Sequence, residues 1–235
     1  NTTGYHNTAV GKSALEDNTT GYYNAAFGYH ALKLNTTGLQ NSAFGYEALY
    51  SNTSGNYNIA LGITALGANT TGDNNVAIGR LALTGNTTAD DNTAVGYQSL
   101  TGNTTGNNNT AVGKDSLSRN TTGIEGTAVG MNALDHNTTG TANTAVGYAA
   151  VTAVSTGSYN TGVGRASLAS VTTSNYNTGL GAYSLSGNTT GTSNVAVGYQ
   201  AGMTINTGDY NVAVGATALD VATSANYNTA VGYAS

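Results

Sequence analysis

Cysteine, proline and tryptophan are absent from this chain of 235 residues, and charge is scarce. Without cysteine there is no disulfide framework, iron–sulfur cluster or thiolate zinc site. Three histidines, His6, His30 and His136, are too few and too scattered for a histidine metal centre. Six Lys and Arg residues leave no electrostatic footprint for nucleic acid or an anionic membrane. The apolar runs are only a few residues long, so no segment reads as a bilayer-spanning helix. Charged residues make up 7% of the chain, against roughly 25% in ordinary soluble domains. Disordered chains keep themselves open by charge, so this deficit argues for order. Asn, Thr, Ser and Gly take the place of charge, as on an extended, repetitive surface. Residues that build active sites are rare, and none stands out as catalytic, metal-binding or cofactor-binding.

What is present is a repeat. Asn7-Thr8-Ala9-Val10-Gly11 recurs from Asn24 to Gly28, from Asn41 to Gly45 and onward to Asn228, always in steps of seventeen. Copies start at 1, 18, 35, 52, 69, 86, 103, 120, 137, 154, 171, 188, 205 and 222, the last truncated. No insertion or deletion interrupts them. Such constancy means that each copy lies on the next, residue upon residue, as in a solenoid. Seventeen residues are too few for a self-sufficient domain. The expected fold is all-β: a single parallel β-solenoid segment of fourteen coils, roughly 65 Å tall at ~4.8 Å per strand.

The columns of the repeat, N-T-T-G-x-x-N-T-A-V-G-x-x-A-L-x-x, suggest an inside and an outside. The tenth place is always apolar (Val10, Phe27, Phe44, Leu61, Ile78, Val95, Val112 and so on to Val231). The eighth place shares its strand face, because side chains alternate with period two. The fifteenth place is almost always Leu, as at Leu15, Leu32 and Leu49, and Met203 stands ready to fill the gap at Gly202. These three places are assigned to the interior. The ninth and fourteenth, always small, are then expected to face outward, where another protomer could approach closely. Gly at the eleventh place (Gly11, Gly28, Gly45) and the fourth place predicts turns with φ > 0. Asn at the seventh (Asn7, Asn24, Asn41) predicts turn geometry and amide ladders between coils. The first place carries Asn or, in its stead, Val154, Val171, Ile205 or Ala222. A solvent-facing place rarely makes that exchange, so it reads as a semi-buried corner.

Asn74-Asn75-Val76-Ala77-Ile78-Gly79 with Ala82, and Ser193-Asn194-Val195-Ala196-Val197-Gly198 with Ala201, resemble the N-S-V-A-I-G-x-x-S head repeat of YadA-type trimeric autotransporter adhesins. The wider pattern is similar to repeats of bacterial surface and phage tail-fibre-like proteins. The resemblance touches every copy, although adhesin heads usually repeat at a shorter period. It implies a left-handed parallel β-roll, three chains to a fibre, exposed at a cell or virion surface.

Other signals are weaker. Val10-Gly11-Lys12-Ser13-Ala14 is similar to the hexapeptide pattern of left-handed β-helix acyltransferases, which show it three times per coil. Here it occurs once, and the histidines fall in variable columns, so no enzyme is expected. Regular Thr columns at the second, third and eighth places could order water against ice, but the adjacent second and third side chains diverge, and hydroxyl capping of the N-T-T-G turn explains the columns without a ligand. Tyr gathers at the sixth place (Tyr23, Tyr57, Tyr159, Tyr176, Tyr210, Tyr227) and the twelfth (Tyr29, Tyr46, Tyr97, Tyr148, Tyr199, Tyr233). Exposed Tyr suits sugar stacking, protein contacts or the cover of turn backbone. Ten N-T-T or N-T-S triplets, from Asn1 to Asn188, match a glycosylation acceptor but are read as turn chemistry. The expectation is an extracellular structural or adhesive fibre, a segment of something longer or a subunit stacking end to end. Its expected partners are copies of itself and surface glycans or proteins. An ice- or glycan-binding module is the alternative.

Overall fold

The computed structural model describes residues 2–235 and contains strands but no helix among them. Asn1, which opens the first copy and the first of the glycosylation-like triplets, lies outside the described residues. The protein is a parallel β-solenoid with one three-residue strand per seventeen-residue coil, falling into two compact units, Asn1–Thr122 and Gly123–Ser235. In the first unit, β1 (Thr8–Val10) to β7 (Thr110–Val112) are paired in parallel, each with its sequence neighbour. The second unit repeats this from β8 (Thr127–Val129) to β14 (Thr229–Val231). Register is one coil per step: Thr8 pairs Ala25, Ala9 pairs Ala26 and Val10 pairs Phe27. The missing insertions explain this, since a one-residue slip would send every strand side chain to the opposite face.

The fifteenth-place Leu is inside as expected, but the eighth and tenth places have exchanged sides with the ninth and fourteenth. Val10, Phe44, Leu61, Ile78 and Val112 are exposed, and Phe27 and Val95 are half-buried. The ninth-place Ala26, Ala43, Ala60 and Ala77 are fully buried, as are the fourteenth-place Ala31, Ala48 and Ala65. Alternation does put the eighth and tenth places on one face, but that face is the outer one. The reason is the narrow cross-section of so short a coil. A Cβ built on Gly162, a ninth-place residue, would meet Val151 Cγ2 at 2.5 Å and the Ser167 carbonyl at 3.2 Å. Ninth-, fourteenth- and fifteenth-place groups therefore touch across the interior, and a column of Val or Phe does not fit between them. The largest side chains inside are Leu32, Leu49 and their fifteenth-place successors, with Leu15 buried at the start of the same column. The small residues serve this interior and are not open to a second protomer. At Gly202, where Leu is missing, Ile205 Cδ1 and Leu185 Cδ2 approach to 3.0 and 3.1 Å of the position a Cβ would take, while Met203 stays half-buried. Ile205, not Met203, fills the gap.

Turn chemistry also departs from expectation. Gly11, Gly28 and Gly45 do have φ of 129°, 141° and 138°. The fourth-place Gly does not, and close approach explains it: a Cβ on Gly38 would sit 2.4 Å from Asn35 Oδ1 and 2.5 Å from the Gly55 carbonyl. Left-handed backbone falls instead on non-glycine residues at the sixth, thirteenth and fifteenth places. Tyr23, His30 and Leu32 have φ of 57°, 57° and 52°. A left-handed L-residue costs ~1–2 kcal/mol, and burying a Leu returns ~1.5–3 kcal/mol. The Leu column thus offsets its own strain by filling the core.

Amide ladders hold the corners. The Asn24 backbone N–H donates to Asn7 Oδ1 at 2.9 Å, and Asn24 Nδ2 donates to the Gly38 carbonyl at 2.8 Å. At the first place, Asn35 Nδ2 donates to Asn18 Oδ1 at 2.8 Å and to the Gly38 carbonyl at 3.0 Å. Asn24, Asn35 and Asn41 are all buried, so these bonds satisfy amides that would otherwise be costly to desolvate. Val154, Val171 and Ile205 are buried in the first column as well, giving that corner its apolar alternative filling.

Candidate functional site: the exposed strand face

The outward eighth and tenth places form a face of two columns, one residue of each per coil. Exposed along it are Val10, Phe44, Ile59, Leu61, Ile78 and Val112 in the first unit, and Val129, Val163, Leu180 and Val197 in the second. Phe27 and Phe44 stack along it, centroids 4.8 Å apart. Soluble proteins seldom leave contiguous apolar surface in water, and where they do it marks a contact site.

Tyrosine borders this face on both sides. Sixth-place Tyr23, Tyr57, Tyr159, Tyr176, Tyr210 and Tyr227 are all more than half exposed. On the other border, Tyr29, Tyr46, Tyr97, Tyr148 and Tyr199 are 37–53% exposed. The twelfth-place border also carries cations over its rings: Lys12 over Tyr29 at 5.7 Å, Arg80 over Tyr97 at 5.7 Å, and Arg165 over Tyr148 at 5.8 Å. An apolar strip rimmed by Tyr and Arg has the composition of a protein contact surface.

The fold engages some of the remaining candidates and leaves others exposed. Second-place hydroxyls are used within the solenoid: Thr19 Oγ1 donates to the Thr36 carbonyl and Thr36 Oγ1 to the Thr53 carbonyl, both at 2.9 Å. These bonds run from coil to coil, a ladder in place of the expected cap within the turn. Third-place residues such as Thr20 and Thr37 are exposed. First-place Asn from Asn18 to Asn188 are buried, so in the folded chain their triplets do not present the amide to an enzyme. His30 lies 3.8 Å from Glu47, His136 lies 3.5 Å from Asp135, and His6 stacks on Tyr23. The three histidines are not brought together. The Tyr46 phenol is held above its ordinary pKa, because its hydroxyl is hydrogen-bonded to the Glu47 carboxylate and feels its charge. What sequence reasoning missed was the exposed face itself. The signal was there, in an apolar column whose neighbour at the ninth place is never larger than Ala.

No family model, curated protein or solved structure matches the chain.

Proposed function

We propose that the chain is part of a structural and adhesive fibre whose protomers associate through the eighth- and tenth-place face. The observation that carries this reading is the unbroken apolar tenth-place column, exposed or half-buried but nowhere inside, along each unit. An occupant of that column must repeat at the coil spacing, and a second copy of the same chain does so by construction. Seven coils at ~4.8 Å, spanning the sixth to twelfth places at ~3.3 Å per residue, offer roughly 700 Å² in each unit. A standard interface buries ~800 Å² per partner, so the face is of the size a stable assembly needs. Three chains, a left-handed roll and a place at a cell or virion surface follow from the resemblance to adhesin heads. In this reading the protein is not an enzyme. Its rim tyrosines hold glycans or proteins through many weak, equivalent contacts, which reach useful strength by avidity.

Light scattering tests the assembly. The expected mass is a multiple of the 23.5 kDa chain, threefold for the trimer. It falls to that of one chain on Ile78→Lys combined with Val112→Lys, while the circular dichroism is unchanged. A wild-type chain that is monomeric at all concentrations, with no fibre in negative stain, overturns the reading. Thermal hysteresis from that monomer would favour ice binding instead.

A further inference from the structure

Half of the sixteen tyrosines stand in four stacked pairs on adjacent coils. Tyr5–Tyr22, Tyr29–Tyr46, Tyr159–Tyr176 and Tyr210–Tyr227 have ring centroids 4.8, 5.3, 5.2 and 5.1 Å apart, with ring planes within 9° of parallel. Their register is dictated by the repeat, because the members of each pair are one full period apart in the chain. Seven of the eight rings are at least a third exposed, and Tyr22 is half-buried, so small oxidants reach them. In a chain without cysteine, phenols are the side chains able to staple one coil to the next by oxidation.

We propose that these pairs are sites of oxidative cross-linking, in which a haem peroxidase with hydrogen peroxide joins coil to coil through dityrosine. Each phenol loses one electron and one proton. The two phenoxyl radicals couple at ring carbons ortho to the hydroxyls, and the ortho hydrogens then shift to oxygen as the rings regain aromaticity. Two tyrosines and one peroxide give one carbon–carbon bond and two waters. The link closes a ring one coil long and prevents adjacent coils from parting. Around Tyr29–Tyr46, the Glu47 carboxylate follows Tyr46 in the chain and lies 3.8 Å from His30 Nδ1, whose ring packs on Tyr29 with centroids 3.7 Å apart. The Lys12 ammonium lies 5.7 Å from the centre of the Tyr29 ring on the preceding coil. This inference does not depend on self-association, because both rings of each pair belong to one chain.

The test is peroxidase and hydrogen peroxide applied to the dilute, purified full chain. The expected product keeps the monomer's electrophoretic size, gains dityrosine fluorescence and loses two hydrogens per link. Trypsin then yields peptide 13–33 joined to 34–80 and peptide 120–165 joined to 166–235. Tyr46→Phe abolishes the first of these and leaves the second. Cross-links found only between chains overturn the proposal. So do links as frequent at Tyr57 and Tyr97, whose column neighbours are not Tyr, as at the stacked pairs.

Discussion

Replacing Asn188 by Val stabilises the protein, although it removes an amide from a column built on amides. In an intact stretch, each first-place Oδ1 accepts from the Nδ2 of the next coil, as Asn35 Oδ1 does from Asn52 at 2.8 Å. The next first-place residue after Asn188 is Ile205, which has no donor. Asn188 Oδ1 is accordingly buried without a hydrogen-bond partner. Its Nδ2 makes a 3.5 Å contact with Asn177 Oδ1, which still accepts from the Asn194 backbone and side chain at 3.0 and 3.2 Å when Asn188 is gone. An orphaned buried acceptor costs ~1–3 kcal/mol, and Val171 and Ile205 show that this corner holds branched aliphatics. The net expectation is a gain of about 1–2 kcal/mol, or ~2–8 °C in Tm at ~2–4 °C per kcal/mol for a chain of this size. The control is the same substitution at Asn52. There it orphans Asn35 Oδ1 and takes the acceptor from Asn69 Nδ2, whose bond is 2.9 Å. The expected loss is about 1–3 kcal/mol. Urea unfolding followed by circular dichroism reads both as midpoint shifts of opposite sign at an unchanged slope. Two shifts of the same sign would refute the ladder argument.

Two further predictions address the packing. Ala77→Val adds two methyl groups to the narrow interior and costs about 1–3 kcal/mol by overpacking. Neighbouring Ile78→Thr, on the outer face, changes monomer stability by no more than ~0.5 kcal/mol; equal effects at the two positions would return the tenth place to the core. Thr64 holds φ of 51° at the thirteenth place, so Thr64→Gly relieves left-handed strain worth ~1 kcal/mol. A lower unfolding midpoint would show that the Thr64 hydroxyl's bond to the Ile63 carbonyl at 2.9 Å matters more than the strain.

The period, the strand at Thr8–Val10 and its successors, and the polar-or-apolar corner at the first place were all determined by the sequence. A register without insertions permits only residue-on-residue stacking, and the exchange of Asn for Val or Ile is tolerated only away from water. The left-handed Leu column was not legible, because nothing in a Leu announces a positive φ that its burial offsets. Nor was the sense of the strand. Alternation says that Thr8 and Val10 share a face and that Ala9 opposes them, but it is symmetric as to which of the two is inside. Only closure of the coil breaks that symmetry. With the Leu15 and Ala14 columns already across the interior, the space left beside the strand is the width of a methyl group, so Ala goes in and Val is turned out.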